Sequence, residues 1–349
     1  APIEPPERRL QRSRPRPAAA IEPHPAGFAA RGARNRSSTL IGAMIPAADV
    51  GSAVAEWLPP LSLIVIATAY AIRMIRLGDA GRPVPRWRQA FFLAGLLALA
   101  VAYVSPVDEL SDEMLTWHMV QHLLIMDVAA LFFVLGLTGP LLQPLLAMRG
   151  LRWLRHLANP IFALTVWTVL LYVWHIPALY EAATFDSDLV HALQHLCFFF
   201  AGVAFWMSLL GPLPKPSWFT GAASAGFVFA VRLIGAVLAN VLMWSSSVIY
   251  ARYAPGEAAH GISALSDQGL AGVVMMAEST VITLSILTWL VLRWAKHDTE
   301  RQELLDLAAA RGIDLDPARA QRAVTAGQGQ RLRERIESGT VHSEASGRA

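Results

Sequence analysis

Stretches of about 20 consecutive, mostly apolar residues recur along this chain, and no other feature limits its fold as strongly. In hydrocarbon every backbone amide and carbonyl needs a partner within the protein, so a segment of that length and polarity folds as a membrane-crossing helix. Seven spans are predicted, at roughly 54–76, 88–104, 114–137, 160–176, 190–210, 220–244 and 267–292. The expected fold class is all-α, a polytopic bundle of seven transmembrane helices. Composition agrees, because 54% hydrophobic and 16% charged residues make a chain too apolar for an ordinary soluble domain. Punctuation supports the boundaries: Asn159-Pro160 predicts a cap and first-turn proline for the fourth span, Pro177 its end, and Gly211-Pro212 the end of the fifth.

Charge in the connections sets the expected orientation. Arg73, Arg76, Arg82, Arg86 and Arg88 follow the first span, Arg149, Arg152 and Arg155 follow the third, and Lys215 follows the fifth. The alternate connections are acidic, with Asp108, Glu109, Asp112 and Glu113 in one and Glu181, Asp186 and Asp188 in the next. The positive-inside rule then puts the N-terminus outside and the C-terminus in the cytoplasm, in a multi-pass protein of a bacterial plasma membrane. Because the basic residues sit in short loops and a tail, the net charge of +3 is read as topology, and no nucleic-acid partner is expected.

Three regions follow. Residues 1–43, rich in Arg and Pro as in "PPERRLQRSRPRP", predict a disordered tail that resists translocation, and Met44 is the expected native start. Residues 44–294 form the membrane domain. Residues 295–349 predict a cytoplasmic tail with one short helix, then disorder.

The stretch "WHMVQHLLIMDVAALFF" (117–133) places two histidines and an aspartate where hydrocarbon is expected. His118 and His122 fall in the first two turns of the third span, His191 and His195 in the first two turns of the fifth, and His175 at the outer end of the fourth. Residues i and i+4 share a helical face, so each HxxxH pair aims two imidazoles the same way. A single intramembrane histidine is often a hydrogen-bonded packing residue. Five at one depth on three helices point instead to a shared metal site, since ionisable groups within a membrane are expensive and mark function. Cys197 is the only cysteine, which excludes a disulfide framework or a thiolate cluster within one chain.

Neutral imidazole suits copper, zinc and iron, and soft thioethers nearby favour copper, above all Cu(I). Met119 adjoins His118, Met114 and Met126 lie on the same span, and Met275-Met276 lie in the seventh. Methionine is also an ordinary gap-filler in helical bundles. Gln121 and Gln194 each precede the second histidine of a pair and are expected to support the ligands. Asp127, Arg232 and Glu278 all fall near mid-membrane, where an unpaired charge is costly, so Arg232 is expected to pair with one of the acids as a structural lock, a proton or ion relay being the alternative. Asp267 shares a face with Glu278 and is placed beside the histidine layer, to orient an imidazole or attract a cation.

The motifs "SPVDEL" (105–110), "HMVQH" (118–122), "WHIPALYEAA" (174–183), "HALQH" (191–195) and "LSDQGLAG" (265–272), in that order, resemble those of the multi-span CtaG family of cytochrome c oxidase assembly factors. The resemblance runs from about Trp57 to Trp294 and implies a seven-span bundle that serves maturation of haem-copper oxidases. It implies functional roles for His118, His122, His175, His191, His195, Asp267 and Gln268. This chain departs from the family pattern around Asp127 and at "MMAES" (275–279). The leading expectation is a non-enzymatic factor, surrounded by membrane lipid, that passes copper to a haem-copper oxidase subunit or another cuproprotein. The rivals are a membrane haem protein with axial histidines from two spans, a histidine-box di-iron enzyme, and a copper permease using the mid-membrane charges.

Overall fold

The computed structural model describes residues 49–340, with side chains from Pro60 onward. The expectations for residues 1–43 and for a start at Met44 lie outside the described residues. Every regular element among the described residues is a helix. The long ones are α1 (Asp49–Asp79), α2 (Arg86–Val104), α3 (Leu115–Gly136), α4 (Pro160–Trp174), α5 (Asp188–Leu209), α6 (Gly221–Trp244) and α7 (Ala264–Ala310), followed by α8 (Pro317–Thr325) and α9 (Gly329–Glu337).

Six of these are long and apolar enough to cross a membrane. The helix α4 has only 15 residues and is preceded, across a 94° bend, by a 3-10 segment at Arg149–Ala158, so the count is six, or seven if that bent pair is one span. The bend has a local cause. Asn159 Oδ1 accepts from the amides of Ile161 and Phe162 at 2.9 and 3.3 Å, and Pro160 occupies the first turn, which starts a new helix there.

The fifth helix is the axis of the bundle, packed by α3, α4 and α1, with Phe198, Gly202, Ala204, Phe205 and Trp206 all buried. The outer helices instead turn large apolar side chains outward, among them Leu97, Val104, Leu233, Val281, Leu284 and Leu292. Such a surface is stable only against hydrocarbon, which is as apolar as leucine itself. The third helix is interrupted by one π-helical stretch, Leu124–Ala129, and α5 comes so close that a Cβ on Gly202 would stand 1.8 Å from the Met126 carbonyl oxygen. Glycine is required there because the obstacle is backbone.

At the opposite end from the histidine pairs, arginines on α1 and α2 donate to backbone carbonyls at and just beyond the end of α3. Arg88 Nη1 donates to the carbonyls of Leu135 and Leu137, and Arg73 Nη2 to that of Pro140 at 2.9 Å.

The C-terminal region differs from the sequence expectation. The span expected to end at 292 continues unbroken to Ala310, about 70 Å at 1.5 Å per residue. Neither glycine nor proline occurs from Val273 to Ala310, and the charged stretch after Lys296 is built of good helix formers, so nothing stops the helix where the apolar run ends. It stops at Gly312, whose positive φ of 68° permits a Schellman turn, with Ile313 N bonded to Ala308 O and Gly312 N to Ala309 O. Where one short helix followed by disorder is expected within 295–349, two further helices stand, because α8 and α9 bring Ala320, Val324, Leu332 and Ile336 onto Leu304 and Ala308 in a small core of their own.

Candidate metal centre

Two helices aim the histidine pairs, and neighbouring segments fix how those helices are set. The first turn of α3 is capped from α7: Asp267 Oδ2 accepts from Leu115 N at 2.7 Å, Oδ1 accepts from Thr116 N at 3.1 Å, and Thr116 Oγ1 donates to the Asp267 carbonyl at 3.0 Å. One turn on, buried Gln121 Nε2 donates to the Ala102 carbonyl at 2.8 Å and to Asp108 Oδ1 at 2.7 Å. With Gln121 held toward α2, His118 and His122 point inward and are buried at 0% and 4% exposure. The fifth helix is capped by Ser187 Oγ, which accepts from Val190 N at 3.4 Å, so that His191 and His195 face α3 from its first two turns.

The four rings meet. The centroids of His118 and His122 are 4.2 Å apart, those of His191 and His195 4.3 Å, and across the two helices His118 lies 5.2 Å from His191 and His122 lies 5.2 Å from His195. One ligating nitrogen each from His118, His122 and His191 falls within a 4.8 Å set. Small side-chain rotations would bring such nitrogens to about 3.4 Å, the spacing of tetrahedral ligands with metal–nitrogen bonds near 2.05 Å.

The unpaired atoms of the donor set fit a metal. Both ring nitrogens of His118 and of His122, and Nε2 of His175, His191 and His195, are buried without a hydrogen-bond partner in the protein. Buried polar groups are nearly always paired, and each left unpaired costs about 1–3 kcal/mol. A packing role does not account for several imidazoles in one cluster that each keep at least one buried nitrogen unpaired.

His175 stands slightly apart, at the end of α4. Its Nδ1–H donates to the Leu171 carbonyl at 2.7 Å, which leaves a lone pair on Nε2, and its own carbonyl accepts from the Tyr250 hydroxyl at 2.8 Å. It shares with His122 a cavity of about 20 Å³ that is also lined by Met119, Met126 and Met275.

A model of the cytochrome c oxidase caa3 assembly factor family (Caa3_CtaG) matches residues 68–297, which hold all five of these histidines. The chain belongs to this family. Two relatives, uncharacterized proteins of Mycobacterium bovis and Mycobacterium tuberculosis, are each 25% identical to it over 254 residues, covering 67% of this chain and 38% of theirs. This chain thus spans well under half of those relatives' length. No solved structure matches it.

In this family member several supporting residues take parts other than those expected from sequence. Both carboxylate oxygens of Asp267 accept from backbone amides of α3, so its hold on the histidine pair runs through that helix and not through a bond to an imidazole. Gln268 works on backbone: its Oε1 accepts from Ile249 N at 2.7 Å and its Nε2 donates to Ser247 O at 3.2 Å, fastening the loop after α6. Gln121 bonds Ala102 and Asp108 and not a histidine, while both polar atoms of buried Gln194 lack a partner. Deeper in the bundle, Arg232 Nη2 lies 3.0 Å from Asp127 Oδ1 and its Nη1 lies 3.8 Å from Glu278 Oε2, so the cation sits between both acids.

Sequence reasoning missed the aromatic cover. Tyr180 and Tyr253 are fully buried, their hydroxyls 2.8 Å apart, and their rings lie 5.1 and 6.3 Å from His118. Burial holds both phenols far above the ordinary tyrosine range, so they cover the site as neutral groups. Tyr180 stands inside the quoted "WHIPALYEAA", but Tyr253 lies in a loop with no periodic pattern to mark it. Beside the cluster, burial raises Asp108 to about 6, with the Gln121 hydrogen bond acting the other way and Glu109 adding repulsion.

Proposed function

We propose that this assembly factor holds copper in the cluster of His118, His122, His175, His191 and His195 and passes it to a haem-copper oxidase subunit, or to another cuproprotein. The carrying observation is the set of unpartnered, buried imidazole nitrogens at one end of the bundle. Membership of an oxidase assembly family supplies the client class.

The reading includes a seven-span arrangement in a bacterial plasma membrane, with the bent pair at Asn159 as the fourth span. The arginine-rich end faces the cytoplasm and the histidine end faces outward. The protein acts as a carrier and not as an enzyme. The residues' task is to present neutral imidazoles that can exchange with those of a partner, to hold the two pairs in register through the Asp267 cap and the Gln121 brace, and to exclude water with Tyr180 and Tyr253. Copper bound there is cargo.

The direct test is complementation. In cells lacking this gene, a wild-type copy is expected to restore copper content and activity of the haem-copper oxidase, and a His118→Ala/His195→Ala copy present at equal level is expected to restore neither. Full restoration by the double variant would contradict the proposal.

A further inference from the structure

The cavity beside His122 has a chemistry distinct from the imidazole cluster. Its walls come from four helices: Met119, His122, Leu123 and Met126 on α3, Leu171 and the following His175 from α4, Phe198 on α5 and Met275 on α7. All three methionines are buried, at 1%, 5% and 8% exposure. At about 20 Å³ it has room for one water-sized occupant, yet offers a water few polar partners. The cavity wall itself is apolar; among its lining residues His122 and His175 carry side-chain nitrogens, and His175 Nε2 is buried, unpartnered and left with a lone pair by the Nδ1–H bond to Leu171.

Methionine alone would be read as gap filling. Three thioethers around one small cavity with an orphaned imidazole acceptor are a donor set for a soft cation, since thioether and imidazole together select Cu(I) or Ag(I) over hard or strongly hydrated ions. A second cavity, of about 30 Å³, shares Leu123, Met126, Leu171 and Met275 with the first and is bounded on its own side by Asp127, Arg232 and Glu278. Two carboxylates face one guanidinium there, and Asp127 Oδ2 and both oxygens of Glu278 make no hydrogen bond.

We infer that Met119, Met126, Met275 and His175 form a second, soft subsite for a single monovalent d10 cation, adjoining the imidazole cluster through His122. Its role as a stage in copper transfer rests on the function proposed above, but its occupancy by a soft cation does not.

The test uses the purified full-length protein in detergent and Ag(I), a soft probe that is not oxidised in air. Bound silver is measured by mass spectrometry after desalting, and its neighbours by X-ray absorption. Wild type is expected to show silver–sulfur scattering. Met119→Leu/Met126→Leu/Met275→Leu keeps side-chain volume and is expected to lose that scattering together with about one silver per chain. Met275→Leu alone, on a separate helix, guards against misfolding of the triple variant, and is expected to weaken silver binding roughly tenfold or more, as disturbing a ligand's surroundings already costs 10–100-fold. Nitrogen-only scattering in wild type, or unchanged silver affinity and stoichiometry in the folded Met275→Leu protein, would overturn the subsite. A His118→Ala/His191→Ala variant separates the two readings: silver–sulfur scattering retained there supports the subsite, whatever becomes of the imidazole cluster's copper.

Discussion

Replacing Arg232 with leucine removes the only cation from a buried group of three charges. Its guanidinium is 8% exposed and lies 3.0 Å from an aspartate that is 1% exposed, with Glu278 at 3.8 Å. Two unit charges at about 4 Å attract by roughly 4 kcal/mol at an effective dielectric of 20. Deleting one partner of such a buried pair typically costs about 3–5 kcal/mol, because the other charge is left without compensation. At roughly 2.1 cal/mol/K of unfolding entropy per residue, a chain of 349 residues shifts its Tm by about 1.4 °C per kcal/mol, so a fall of about 4–7 °C is expected. Thermal unfolding in detergent, followed by fluorescence of the chain's 11 tryptophans, reads it directly. Adding Asp127→Asn to Arg232→Leu is expected to recover part of the loss, since the nearer of the two acids that faced the cation is then neutral. A single variant that melts with wild type, or a double variant whose loss is the sum of the two singles, would refute the lock.

Two further outcomes follow from the supports of the cluster. Asp267→Ala leaves the amides of Leu115 and Thr116 without their acceptor, which is expected to lower stability by about 2–4 kcal/mol and to reduce metal binding with all histidines intact; a variant with wild-type melting and metal content would contradict the capping role. Asp108 has its proton held more tightly in the folded chain, at about 6 against 3.8, so its contribution favours folding below pH 4 and is lost as pH rises through about 6. Asp108→Asn, which keeps an acceptor for Gln121, is therefore expected to stabilise the protein at pH 7 by about 1–2 kcal/mol after discounting for partial exposure, and to flatten the melting profile between pH 4 and 6; an unchanged profile would exclude that assignment.

The long helices were legible because lipid and tertiary packing both demand runs of apolar residues, and the histidine layer because a four-residue spacing fixes a shared face. Which atoms finish the site was not. Asp267 is 152 positions from Leu115, and nothing local announces that its carboxylate caps another helix. The π-helical stretch at Leu124–Ala129 lies where Gly202 of α5 comes up to the Met126 carbonyl, a contact between segments far apart in sequence. The methionine-lined cavity is similarly a product of four helices, although each methionine stood in plain view. The tail was misjudged for a different reason: its small core uses scattered residues such as Leu315, Ala320 and Ile336, too sparse to stand out against the charges between them.

Copper per chain is the quantity that tests the histidine cluster most directly. Purified wild type, loaded under reducing conditions, freed of loose metal and analysed by mass spectrometry, is expected to hold copper in stoichiometric amount, while folded His118→Ala/His195→Ala protein loses the share bound by the four converging rings. Equal copper in the two proteins would contradict that role for the cluster.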